Sequence, residues 1–393
     1  MKLFVTDLER QIIQQNKNCD VNDLALKLSS NPNIDSKKVL RQISGMKIME
    51  KKMPLFADNQ DILYPNHLPL EQCSSFFTAN YKKEILHKVV SDFSSMLDLT
   101  GGFGIDFFLL SEGFEKAFYV EKKSELFEIV KHNFMVLGRE NTFFYNCDSI
   151  EFLQSKSEKF NFLFIDPARR DVNGQKTVRI EDCEPNIIDF QEVLIEKADV
   201  AMVKLSPMLD VSDCVKTIKN IFQIHIVATV NECKEVLLVL KKDFQDQPHV
   251  FTINDYQRFD FSLFEEQNAL ATFCEDESFE NKFLFDPNVA IRKAGAFRIL
   301  CEKFPVKKIS ALSHLYISDC DIEQFPGRKF RIVKTGSLKD FSNLKTANVA
   351  VRNFPLKAEE LKKKLKIKDG GDIFLFATTK RNGKKIIIEA IKL

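Results

Sequence analysis

Between Ser95 and about residue 245, short apolar runs alternate with amphipathic stretches. "SMLDLT", "KAFYVE", "NTFFYN", "FNFLFID", "VAMVKLS" and "IHIVATV" are separated by segments such as "SELFEIVKHNFMVLG". Strands that alternate with helices are joined by crossovers, and this constrains the segment to a parallel, doubly wound α/β sheet. At 393 residues the chain exceeds one ordinary core, so two to four domains are expected. Residues 1 to about 95 read as helical. "DSKKVLRQISGMKIMEKKMP" has helical apolar spacing behind an Asp35-Ser36 cap and stops at Pro54, and "EQCSSFFTANYKKEILHKVV" leads into the sheet as a further helix. Residues 246–327 are mixed, with "HVFTINDY" read as a strand and "PNVAIRKAGAFRILCEKF" as a helix. The tail reads as strand, strand, helix and hairpin, the hairpin turning at Asn382-Gly383 between two apolar runs.

Charge is unevenly distributed. From Arg328 onward there are 18 Lys and Arg against 6 Asp and Glu, a net +12, while the rest carries 39 against 50, a net −11. A basic tail on an acidic body points to a polyanionic partner, with a solvated small-domain surface as the alternative. Lys362, Lys363, Lys364, Lys366 and Lys368, with Arg381, Lys384 and Lys385, are candidate phosphate contacts. Nine scattered cysteines with no CxxC spacing fit a reducing, cytoplasmic setting, and the dispersed histidines suggest no metal site. No run of 18 apolar residues is present, so no membrane span is expected, and the N-terminus does not read as a signal peptide.

"LDLTGGFGIDFFLLS" follows a strand and opens a helix. Gly101, Gly102 and Gly104 let a backbone approach a ligand, and the helix start offers free N–H groups. Alone this is a weak signal, but acids end the neighbouring strands. Asp98 stands before the loop, Glu121 where a carboxylate accepts from two ribose hydroxyls, and Asp148 where an acid accepts from an adenine amino group. The nicotinamide pattern G-x-G-x-x-G is a poorer fit, because Asp98 would repel a pyrophosphate but suits a ligand with a positive amine and sulfonium. The bland alternative is that the three acids merely end strands at the surface. Together they resemble the class I S-adenosylmethionine-dependent methyltransferases, with Thr100 where many members carry a glycine; the resemblance places Thr100 among the cofactor contacts.

The fourth strand runs into "IDPARRD". Nucleic-acid amino methyltransferases carry Asp/Asn-Pro-Pro-aromatic there. An exocyclic amine is a poor nucleophile, and a carboxylate with a backbone carbonyl can accept its hydrogens and aim its lone pair. Asp166 and Pro167 match this catalytic floor, with Asp166 also near the cofactor, whereas Ala168 and Arg169 depart from it. Arg169, Arg170 and Lys204 are candidate substrate contacts. Uridine C5 chemistry is disfavoured, since "KLSP" after the next strand offers no cysteine. A surface Asp–Arg pair is the alternative for the motif. Ser74, Ser75, Thr78 and Lys82, just upstream of the first strand, are candidates for closing over the cofactor.

Across "LDLTGGFGID", "IDPARRD", "KLSPMLD", "PNVAIRKAGAF" and "VRNFPLKAEELKKKLKIKDGGDIFLFATT", the chain resembles a bacterial methyltransferase-like family with a THUMP-like C-terminal domain. That resemblance implies an N-terminal helical region (1–75), a Rossmann-like methyltransferase core (76–245), a small ferredoxin-like α+β domain (246–327) and a THUMP-like α+β domain (328–393). It implies S-adenosylmethionine as cofactor but no particular substrate; the basic tail favours RNA, read as rRNA or tRNA, and Asp166-Pro167 favours a base nitrogen as the methyl acceptor. A protein or small-molecule acceptor, or a non-catalytic binding protein, are the alternatives.

Overall fold

A computed structural model describes residues 4–28, 31–169 and 179–393. The chain forms two compact units: residues 1–221 with 238–245, and residues 222–237 with 246–393.

The first unit opens with six helices: α1 (Asp7–Asn16), α2 (Val21–Leu28), α3 (Ser36–Lys52), α4 (Pro54–Ala57), α5 (His67–Gln72) and α6 (Phe76–Val89). Asp35 caps α3 by accepting from the Lys38 N–H, and Pro54 occupies the first turn of α4, where its missing N–H is not needed. There follow β1 (Ser95–Asp98), α7 (Ile105–Leu110), β2 (Lys116–Val120), α8 (Ser124–Val136), β3 (Thr142–Tyr145), α9 (Ser149–Ser155) and β4 (Phe160–Ile165). The short antiparallel pair β5 (Ala168–Arg169) and β6 (Cys183–Glu184) precedes α10 (Ile187–Lys197), β7 (Ala198–Leu205) and α11 (Val211–Thr217).

Parallel pairing runs in the order β7, β4, β1, β2, β3. The chain winds outward from β1 in one direction and from β4 in the other. Their carboxyl ends therefore flank the topological switch point, where open α/β sheets leave a ligand crevice. Apolar burial holds the strands: Phe162 of β4 is fully buried and registers with Met96 of β1 and Val200 of β7.

The second unit contains most of the hairpin β8 (Ile221–Thr229) and β9 (Glu232–Lys241), then β10 (His249–Asn254), β11 (Gln257–Ser262) and α12 (Leu263–Asn268). Val230 and Asn231 have φ of 50° and 56°, the left-handed values of a tight hairpin turn. A second sheet follows, built by β12 (Phe283–Pro287), α13 (Val289–Ala294), α14 (Ile299–Lys303), β13 (Lys307–Lys308), β14 (Tyr316–Ser318), β15 (Gly327–Gly336), β16 (Asn348–Val351), α15 (Ala358–Leu365), β17 (Ile373–Thr379) and β18 (Lys385–Lys392). Its order is β13, β14, β12, β15, β18, β17, β16.

The hairpin at Asn382-Gly383 is present, β17 and β18 pairing antiparallel. The single helix expected over "PNVAIRKAGAFRILCEKF" is instead two. Gly295 adopts φ 72° and closes α13, because glycine enters the left-handed region without a Cβ penalty. No helix among the described residues is long and apolar enough to cross a membrane.

Phe162→Ala should lower unfolding stability by about 3–5 kcal/mol, through reduced burial and a residual cavity. Urea denaturation followed by circular dichroism checks this, and a loss below about 1 kcal/mol would contradict the packing described.

Candidate functional site

The glycines of the loop after β1 serve different ends. A Cβ on Gly101 would stand 2.0 Å from the Tyr119 ring, and one on Gly104 2.9 Å from Phe134, so both are small because aromatic side chains pack against them. Gly104 also holds φ 82° as the residue that caps the start of α7. A Cβ on Gly102, at φ 55°, would meet only the Thr100 carbonyl at 3.6 Å among the described residues, which otherwise leave the space above it open. Its N–H donates to Glu121 Oε2 at 3.1 Å, and its carbonyl accepts from the Tyr119 hydroxyl at 2.6 Å.

Asp98 is buried at the end of β1, and its Oδ1 accepts from the Thr100 N–H at 2.9 Å. Oδ2 has no donor among the described residues. Burial holds this carboxyl well above the usual range, aided by the charges of Asp106, Asp166 and Glu121 and opposed by the Thr100 N–H. A buried acid facing further acids is a site that favours a cation. Glu121 accepts from Gly102 through Oε2 and from the Lys123 N–H through Oε1, which leaves a lone pair on each oxygen. Asp148 caps α9 by accepting from the Ile150 N–H and pairs with Lys122 at 3.2 Å. Burial raises its pKa, but those bonds outweigh it and the net direction is down.

Thr100 does more than occupy a glycine position. Its Oγ1 accepts from the Asp166 N–H at 2.6 Å, and the Leu99 N–H donates to the Phe164 carbonyl at 3.0 Å. These bonds tie the end of β1 to the end of β4 across the switch point. Asp166 Oδ2 accepts from Lys204 Nζ at 2.6 Å, while Oδ1 has no donor among the described residues. Pro167 is buried beside it.

Sequence reasoning missed Asp106. In α7, this buried carboxylate receives Lys82 Nζ at 3.2 Å, Lys204 Nζ at 3.4 Å and the Ser74 hydroxyl at 2.7 Å. Burial raises its pKa, but the two ammonium groups and Ser74 outweigh that and hold it down. Lys82 is fully buried, and its Nζ also donates to Ser74 Oγ and the Thr78 carbonyl, both at 3.3 Å. Ser75 caps α6. Lys204, expected as a substrate contact, thus bridges Asp106 and Asp166. Arg169 contributes backbone to β5, its side chain and Arg170 lying outside the described residues.

Comparison with known proteins gives two family matches: a ferredoxin-like domain over residues 283–326 and a THUMP domain-like family over residues 327–391. A crystal structure of a "putative methyltransferase" from Porphyromonas gingivalis W83 aligns with TM-score 0.84 and 28% identity, covering 98% of this chain and 97% of that one. The chain has a methyltransferase fold completed by ferredoxin-like and THUMP-like domains. An rRNA methylase from Streptococcus thermophilus aligns at 13% identity and TM-score 0.32 over 42% of this chain and 95% of its own. A "putative methyltransferase" from Streptococcus mutans in complex with SAH aligns at 14% identity and TM-score 0.32 over 41% of this chain and 96% of its own. No curated protein matches.

Because the folded pKa of Asp98 lies above its unfolded value, this group favours folding at low pH and the contribution is lost as pH rises through the folded value. Asp98→Asn removes that ionisation and keeps an oxygen for the Thr100 N–H. It should melt at or above the wild-type temperature at pH 7 in scanning calorimetry. A drop of several degrees would contradict the burial account.

Proposed function

We propose that this chain is an S-adenosylmethionine-dependent methyltransferase that acts on rRNA or tRNA at a base nitrogen. The observation that carries the reading is the crevice at the switch point, where open space over Gly102 lies among Asp98 and Glu121 while Asp166 keeps an oxygen without a donor among the described residues. These residues fit the cofactor. Asp98 Oδ2, without a donor among the described residues, suits an ammonium or sulfonium, Glu121 retains acceptor capacity for a pair of ribose hydroxyls, and a side chain at Gly102 would fill the cradle. Gly101 and Gly104 shape the loop, and Asp148 borders it as an acceptor.

When bound, the cofactor supplies a methyl group made electrophilic by the sulfonium. The chain's own residues then act on the acceptor. Asp166 Oδ1 accepts an N–H of an exocyclic amine and so aims the nitrogen lone pair, which contributes mainly through orientation. Lys204 holds Oδ2, and Thr100 fixes the backbone of the same residue, so the carboxylate is restrained from two sides. Asp106, itself paired with Lys82, in turn holds Lys204. Pro167 stiffens the turn. Arg169 and Arg170 follow directly and are proposed to meet the substrate. The RNA assignment is supported by the THUMP-like match over 327–391 and by the net +12 of the tail.

Transfer of labelled methyl to total RNA from cells lacking this protein tests the reading, with cofactor affinity measured in parallel. Wild type should label RNA, and Asp166→Ala should lower the rate by about 10²–10⁴-fold while cofactor affinity changes little. Equal rates would refute the role given to Asp166. Labelling of protein but not RNA would move the acceptor to protein, and cofactor binding with no transfer to any pool would leave a binding protein.

A further inference from the structure

Within the second unit, three arginines converge on one carboxylate. Asp286, at the end of β12, is 1% exposed. Its Oδ2 accepts from Arg328 Nη2 at 2.6 Å, Arg352 Nη2 lies 3.2 and 3.3 Å from the two oxygens, and Arg292 Nη1 lies 3.6 Å from Oδ1. The arginines come from separate elements: α13, the start of β15, and the residue after β16.

One guanidinium would neutralise Asp286. The three pair with no other carboxylate among the described residues, so two of the positive charges lack an ion-pair partner of their own at a half-buried place, where like charges repel with little screening. The three forks carry about fifteen N–H donors. The acceptors they meet among the described residues are Asp286 and, for Arg352 Nη1, the Val351 carbonyl at 3.0 Å. Arg352 Nε is buried with no partner among the described residues. The excess charge is felt by its surroundings. His314, whose Nδ1 is also unpartnered among the described residues, has its pKa pushed down to about 4 by burial first and then by Lys308, Arg352 and Arg292.

Planar forks with donors to spare match a tetrahedral oxyanion. Arg328 also lines a cleft of about 100 Å³ whose walls include Asn231, Asn254, Tyr256, Gln257 and Asn288. Tyr256 is 89% exposed at its rim, placed as a ring on which a base can stack. The Asp255 carboxylate in this cleft is held by the Val230 N–H, at 3.1 and 3.0 Å from its two oxygens.

We infer that Arg292, Arg328 and Arg352 form a binding site for a phosphate group of RNA, with the exposed Tyr256 ring beside Arg328 offering a stacking face to the attached base. This rests on the RNA reading above and adds to it a specific contact in the second unit. The lysine-rich helix is less suited to that role than composition suggests, since Lys362 already pairs with Glu359 and Asp369. Arg381 likewise pairs with Glu275.

The test uses the full chain and fluorescence anisotropy with a 3′-labelled single-stranded RNA of about 12 nucleotides, a length within reach of single-strand binding sites. The RNA is made with and without a 5′-phosphate. Arg292→Gln/Arg328→Gln leaves Arg352 to hold Asp286. Its Kd for RNA should rise about tenfold, its salt slope should fall by about 0.7 for each phosphate no longer neutralised, and inorganic phosphate should compete for the wild type. Weakening confined to the 5′-phosphorylated RNA identifies a terminal monoester, and weakening with both RNAs an internal diester; either supports the site. Should the double variant fail to fold, Arg292→Gln alone, the most loosely held of the three, should still weaken binding about threefold. A variant that melts like wild type and binds RNA within twofold of it overturns the site. If such a variant still methylates RNA, the enzymatic reading survives the loss of this site. If wild type neither binds nor methylates RNA, both fall.

Discussion

A relay of alternating charges, Lys82 to Asp106 to Lys204 to Asp166, governs the crevice in the first unit. Lys82, Asp106 and Lys204 are largely buried and Asp166 is partly exposed; burying ionised groups is costly, and the arrangement persists because each charge meets an opposite one at hydrogen-bond or near hydrogen-bond range. The relay crosses α6, α7, β7 and the end of β4, so it positions Asp166 through elements far apart in sequence. Asp98, close by, has no such cation among the described residues, and its raised pKa follows from that difference. Two buried acids within one crevice are thereby pushed in opposite directions, Asp106 down and Asp98 up. Neighbouring carboxylates given different environments in this way are able to take different tasks.

The β1–β4 seam shows how the fold makes this possible. The switch point brings two strand ends together, and the Thr100 hydroxyl fixes their separation through the Asp166 N–H. A glycine at position 100 would leave that N–H without its partner. Gly101 and Gly104 let Tyr119 and Phe134 pack against the loop, which leaves Gly102 as the position with room above it. Loop composition thus reflects three demands: packing, left-handed backbone and open space.

Much of this was legible in the sequence. The alternation of apolar runs placed β1, β2, β3, β4, β7 and β8, because strands of a covered parallel sheet are short, apolar and set between amphipathic helices. Asp35, Pro54 and the Asn382-Gly383 turn carried local signals that tertiary context did not override. Other features were not readable. The helix break at Gly295 looks like a tolerated glycine until its φ is known. Asp106 closes the stretch "LDLTGGFGID", but its position there does not disclose an ion-pair role, and Lys82 and Lys204 become its partners only through folding. The Asp286 cluster joins residues 286, 292, 328 and 352, which no periodicity connects. Counting charges flagged the tail as basic but could not tell that Lys362 and Arg381 are paired within the unit while the arginines at Asp286 are in excess.

The crevice over Gly102, bounded by Asp98 and Glu121, is the proposed seat of S-adenosylmethionine. Calorimetric titration of the full chain with S-adenosylmethionine tests it most directly, repeated with Glu121→Ala. Binding should be saturable at one site and weakened tenfold or more by the substitution in a protein that remains folded. No binding to wild type, or equal affinity in both proteins, would contradict that assignment.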